Sequence, residues 1–183
     1  MKARRLDRDD VLGVGIDLQE RLLPAMAGKE ALEAAWVKWI NGLRTLGVPV
    51  IVSQQYTKGL GETIPSVREA LASEQYFEKR SFSAMGAEAF RKAVKDSGKK
   101  TILIFGIESH VCMQQTALDL MEEGYRVYVI EDACSSRSLH DHEMSMRRLA
   151  QAGAVITTFE SALFELLDTS ESPDFKAISA IVK

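Results

Sequence analysis

Five short apolar runs, each rich in β-branched residues, recur along the chain with helical stretches between them, and this alternation most restricts the fold. The runs are Val11-Leu12-Gly13-Val14-Gly15-Ile16, Val48-Pro49-Val50-Ile51-Val52, Thr101 to Phe105, Tyr125 to Ile130 and Ala154 to Thr158. None shows the in–out alternation of a strand with one wet face. Continuous apolar character is what a strand buried on both faces requires. Between the first two runs, Leu32, Trp36, Trp39, Ile40 and Leu43 recur at helical spacing over 29–46, and Gly47 follows as a stop. Further helices are expected over 86–96, from Val111 to Gly124, from a capping box at Ser138-Leu139-His140-Asp141 to Gln151, over 160–167, and in the tail from Pro173. Strands alternating with helices predict an α/β fold: a three-layer α/β/α sandwich around a mainly parallel, Rossmann-like sheet. At 183 residues, with no repeat or linker, one domain over 1–183 is expected.

In such sheets ligands sit outside the carboxyl ends of the strands, near the point where strand order reverses. Several runs end on chemically active residues: Asp17, the stretch Ser53 to Gln55, the stretch Glu108 to Cys112, and Asp132. Cys112 follows a strand and a short polar crossing and stands at a predicted helix start. Helix N-termini favour a thiolate, so a lowered thiol pKa is expected there. Cys134 has no such setting and reads as structural. Taken alone, Asp17 reads equally as a turn residue or a general base. Lys79, between Phe77 and Phe82, reads alone as solvated, yet beside a thiol it would stabilise negative charge. His110, His140 and His142 show no metal-ligand spacing and read as capping or exposed residues. The segment 53–65 reads as a long Gly- and Pro-punctuated loop of the kind that carries function.

Composition narrows the partners. The net charge of −3 has no basic patch, so no nucleic-acid partner is expected. No apolar run approaches the length of a membrane span, and the charged first ten residues lack a signal-peptide core. Two cysteines are not a disulfide framework in a chain this long, which points to the cytoplasm. No phosphate-binding glycine motif follows a strand, which counts against a flavodoxin-like nucleotide binder.

Four segments in order carry a resemblance. Ile16-Asp17-Leu18-Gln19 looks like a first-strand D-x-Q motif, and Lys79-Arg80-Ser81-Phe82-Ser83-Ala84 like a lysine segment. Gly106-Ile107-Glu108-Ser109-His110-Val111-Cys112 looks like a nucleophile turn, and Glu131-Asp132-Ala133 with Ser136-Arg137 like the segment after the next strand. Together they resemble the isochorismatase-like cysteine hydrolases, over nearly the whole chain. The resemblance implies a triad of Asp17, Lys79 and Cys112. It also implies a cis peptide between Ile107 and Glu108, with the Glu108 and Cys112 N–H groups facing an oxyanion. Family members with a metal use an Asp and histidines after the second strand. Ser53-Gln54-Gln55-Tyr56 stands there instead, so no metal and no cofactor are expected. True isochorismatases lack the nucleophilic cysteine, so the resemblance is to the metal-free members of unassigned substrate.

The function expected is hydrolysis of a small amide or related C–N bond through a thioester on Cys112, by a homo-oligomer. Gln19, Gln55, Tyr56 and Phe82 are expected around the small-molecule substrate because they lie near strand ends. The alternative is a non-catalytic or redox-responsive interaction protein in which an exposed, acidic Cys112 is oxidised.

Overall fold

A computed structural model describes residues 5–183; the first four residues of the charged N-terminal stretch lie outside the described residues. Six parallel strands form one sheet in the order β3-β2-β1-β4-β5-β6. They are β1 (Val11–Ile16), β2 (Val50–Gln55), β3 (Phe77–Lys79), β4 (Thr101–Gly106), β5 (Arg126–Cys134) and β6 (Val155–Thr157). Every residue of β1 and of β4 is buried, as their unbroken apolar character requires. They lie side by side at the sheet centre, and the chain winds outward from them in opposite directions. The reversal of strand order therefore falls between β1 and β4. The α/β/α architecture predicted from the alternation is present, and the sheet is parallel throughout.

Helices cover both faces. On one, α1 (Lys29–Thr45) packs against α3 (Pro65–Leu71), α7 (Phe159–Leu167) and α8 (Phe175–Val182). Trp36, Trp39, Ile40 and Leu43 of α1 have no exposed surface. Burying an aliphatic or aromatic side chain of this size stabilises by about 1.5–3 kcal/mol each. Trp36 also donates its indole N–H to Ala133 O at 2.9 Å, which fixes α1 over the end of β5. On the other face lie α4 (Glu88–Asp96), α5 (Gln114–Glu122) and α6 (Leu139–Ala152), with α5 packed on α6. Ser138 caps α6 by accepting the Asp141 N–H, as the sequence suggested.

Two elements run further than expected. β2 continues through Ser53, Gln54 and Gln55, and the expected loop holds one helical turn, α2 (Thr57–Leu60), before α3. The polar residues enter the strand because each is partnered: Ser53 Oγ donates to Asp17, and the Gln54 amide bonds Thr63 and Thr57. β5 passes the expected end at Ile130 and includes Glu131, Asp132 and Cys134. Its register against β4 shifts between Ile104 and Gly106, so the extra residues form an irregularity that absorbs the charged pair. Cys134 is buried in this strand and donates its thiol proton to Ile130 O at 3.1 Å.

Candidate active site

Three strand ends converge. Asp17 is the first residue after β1, Lys79 the last of β3, and Cys112 lies in the turn after β4. Gly106 makes the approach of that turn to β1 feasible. It has φ of +118°, and a Cβ there would stand 2.2 Å from Ile16 O. The next residue donates its N–H to that same carbonyl at 2.9 Å. The Ile107–Glu108 peptide is cis.

Beyond it the chain does not enter an α-helix at once. Ser109–Met113 form a π-helical turn, and α5 begins only at Gln114. The Glu108 carbonyl accepts the N–H groups of Val111 and Met113, which flank Cys112. Cys112 thus sits inside a wide turn rather than at the first residue of an α-helix. Single π turns recur at functional sites because they set one side chain apart from the regular ladder.

Asp17 adopts φ of +54°, a conformation Asp tolerates better than most residues. It has no exposed surface. Its Oδ1 accepts Ser53 Oγ–H at 2.7 Å and its Oδ2 accepts Lys79 Nζ–H at 2.7 Å. The Lys79 side chain is equally enclosed and also donates to Gln55 Oε1 at 3.1 Å and Ser81 O at 3.3 Å. The Cys112 thiol is the third member, in contact with both the carboxylate and the ammonium.

Burial pushes the Asp17 carboxyl above its ordinary value, while Lys79 and Ser53 pull the other way. The Cys112 thiol is pushed up to about 12, first by burial and then by the Asp17 charge, with Lys79 opposing. This reverses the direction expected from a helix N-terminus. Enclosure and a neighbouring carboxylate outweigh a dipole that the π turn displaces by two residues. The resting thiol is therefore protonated at neutral pH.

That shift has a consequence for stability. The ordinary thiol value is 9.0 and the folded value about 12, so folding favours the neutral thiol. The contribution is complete below pH 9 and is lost as pH rises toward 12, with a slope of up to about 1.4 kcal/mol per pH unit. Wild type should therefore lose urea resistance above pH 9 more steeply than Cys112→Ser, which has no titrating group there. Parallel losses in the two proteins would contradict the shift.

The remaining expected residues are placed as follows. Gln55 touches the site through Lys79 and donates its amide to Arg80 O. Gln19 is buried and its amide is fully engaged, donating to Gln55 O and Gly61 O and accepting from Gln55 N–H. It braces the end of β2 rather than facing a ligand. Tyr56 is exposed, with the Arg80 guanidinium 4.0 Å over its ring. Phe82 is 56% exposed. Glu108 is held by Arg137 Nε–H at 2.9 Å, and His110 Nδ1 lies 3.0 Å from Ser136 Oγ. His142, read from sequence as a capping or exposed residue, is instead buried against Ser109 and Glu131. Its partners are 33 and 11 residues away, a separation that no local pattern discloses. His140 is exposed. Among the described residues no group of His, Cys, Asp and Glu is arranged to hold a metal, and no helix is long and apolar enough to cross a membrane.

Comparison with known proteins gives this geometry a context. The chain is 40% identical over 167 residues to isochorismatase domain-containing protein 1 of Danio rerio. That match covers 91% of this chain and 59% of the relative, so the chain spans about three fifths of that protein's length. Among solved structures, a MAR1 ribonuclease from Caenorhabditis elegans is 34% identical, with a TM-score of 0.91 over 98% of this chain and 92% of that one. YcaC from Pseudomonas aeruginosa, solved with hexane-2,5-diol and covalent acrylamide, is 26% identical, with a TM-score of 0.94 over 100% and 92%. The Escherichia coli YcaC protein, described as an octameric hydrolase of unknown specificity, is 25% identical, with a TM-score of 0.93 over 99% and 90%. The model of the isochorismatase domain matches residues 13–161, a span that holds Asp17, Lys79 and Cys112, and the chain belongs to the isochorismatase domain family.

Proposed function

We propose that the protein is a cysteine hydrolase that cleaves a small amide or related C–N bond through a thioester on Cys112. One observation carries the reading: a carboxylate, an ammonium and a thiol, none with appreciable exposure, meet at the switch point of the sheet. Burying an Asp–Lys pair is costly unless the pair is used or very well satisfied.

In the proposed reaction, Asp17 removes the Cys112 proton as the sulfur attacks the substrate carbonyl. Proton transfer and attack are coupled, because the thiol holds its proton strongly at rest. The oxyanion is held by the N–H groups of Glu108 and Cys112. Lys79 keeps the site positive enough for negative charge to pass between the carboxylate and the sulfur. Protonated Asp17 then gives its proton to the departing amine or ammonia, and the C–N bond breaks. Water, activated by the regenerated Asp17 carboxylate, attacks the thioester carbonyl. The acid leaves and the thiol is restored.

The Pseudomonas aeruginosa YcaC relative carries covalent acrylamide, itself a small amide, which is in keeping with a reactive group on this fold. The redox alternative needs an exposed, acidic thiol, whereas Cys112 is 8% exposed and its pKa is raised. The ribonuclease reading of the Caenorhabditis elegans relative finds no support in this chain's net charge of −3. We further place the protein in the cytoplasm, in keeping with two free cysteines. We also read it as a homo-oligomer, in keeping with the octameric YcaC relative.

The test is a screen of small amides, ureas and carbamates for ammonia release. At least one class should turn over with wild type and not with Asp17→Asn. Turnover that survives Asp17→Asn would refute the mechanism.

A further inference from the structure

Glu131, His142 and Ser109 form a chain beside the nucleophile turn. His142 Nε2 lies 3.1 Å from Glu131 Oε1, and His142 Nδ1 lies 2.9 Å from Ser109 Oγ. The residue types are those of a hydrolytic triad. Ser109, however, has no exposed surface, and its hydroxyl donates to Ser135 O at 2.8 Å. A substrate cannot reach it, so the chain must act through what Ser109 holds.

Ser109 is the anchor of the π turn. Its N–H donates to Ser135 O at 2.8 Å. Its carbonyl accepts the Gln114 N–H, the bond that spans the turn, and also accepts Ser145 Oγ–H at 2.7 Å. Cys112 stands between the two ends of that spanning bond. His142 and Ser145 are one helical turn apart on α6, so one face of a single helix grips both the side chain and the carbonyl of Ser109. Glu131 bonds the far nitrogen of His142, which fixes the ring's rotation.

We propose that His142 is a positioning residue that sets the Cys112 sulfur through Ser109; the inference rests on the reading of Cys112 as the nucleophile. Without the imidazole, the Ser109 hydroxyl can turn away and the π turn loses one side of its clamp. A sulfur displaced by about 1 Å costs on the order of a hundredfold in rate.

The experiment uses acrylamide as the probe, with saturable alkylation of Cys112 followed by intact mass and peptide mapping. His142→Leu and Ser109→Ala should each lower the limiting alkylation rate by about tenfold to a hundredfold with unchanged half-saturation. The double variant should be no slower than the slower single, because both remove the same link. His142→Asn keeps a donor near the Nδ1 position and should recover most of the loss. Thermal melting checks that each variant is folded, and Ser109→Ala carries the test if His142→Leu does not fold. Folded variants that alkylate at the wild-type rate, or single losses that multiply in the double variant, would overturn the inference. Wild type that alkylates at Cys134 and not at Cys112 would instead overturn the nucleophile reading beneath it.

Discussion

Replacing Cys112 with alanine is expected to lower turnover of any amide substrate by about 10⁴-fold or more, the scale on which removal of a covalent nucleophile is felt. The protein should stay folded. The change removes one sulfur from a buried position and leaves the Asp17–Lys79 pair intact, at 2.7 Å. With the sulfur gone, Asp17 loses the hydrogen bond of the Cys112 thiol but keeps the larger support of Lys79 and that of Ser53, so the carboxylate stays paired. Loss of rate without loss of fold is therefore the signature. Cys134→Ala is the control: that thiol is buried at the end of β5, where Cys134 pairs with Gly106, but it is bonded to Ile130 O rather than to Asp17 or Lys79, and its loss should leave turnover near wild type. Steady-state ammonia release with matched melting curves reads both variants.

Lys79→Met is the second large effect, and it falls on stability as well as rate. Both side chains of the pair are completely enclosed. Removing one partner of a buried ion pair costs about 3–5 kcal/mol, because the other charge is left in a low-dielectric site. For a chain of this size that is a fall in Tm of roughly 6–20 °C. Asp17 has a second route, which is to take up a proton. Burial already pushes its carboxyl upward, and Lys79 is the largest influence holding it down. A protonated Asp17 cannot accept the thiol proton, so activity is lost along either route. The double variant Asp17→Asn/Lys79→Met should regain much of the stability and none of the activity. Asn suits the double variant because it is neutral and tolerates the left-handed backbone at this position. A Lys79→Met protein within about 1 kcal/mol of wild type would show that the pair is not energetically coupled.

Much of this architecture is legible in the chain itself, because its signals are local. The unbroken apolar runs of β1 and β4 can belong only to strands covered on both faces. The helical spacing from Leu32 to Leu43 needs only the identity of those side chains. Asp17 and Cys112 follow two of these runs, whereas Lys79 reads alone as solvated and joins them only through the resemblance carried by its segment. What was not legible depends on long-range partners. β2 runs on through Ser53 and Gln54 because Asp17 and Thr63 satisfy them. β5 runs past Glu131 and Asp132 because a register shift against β4 accommodates them. The direction of the Cys112 shift could not be read at all. A helix dipole is visible in sequence, but the burial that overrides it exists only once three strand ends meet. Gln19 shows the same limit: its nearness to a strand end suggested a pocket, while its amide is spent on Gln55 and Gly61. His142 is the clearest case. Its position in a helix suggests exposure, yet with Ser145 it is one of two α6 residues bonded to Ser109 in the turn that holds Cys112.

The proposed reaction passes through a covalent bond between Cys112 and the acyl part of the substrate. It is read most directly by rapid acid quench during turnover of an amide found in the ammonia screen, followed by peptide mapping of the trapped protein. An acyl mass is expected on the peptide that contains Cys112, absent from Cys112→Ala and accumulated in any variant slow in the water step. Steady turnover with Cys112 unmodified at every time point, or an acyl group found only elsewhere, would contradict it.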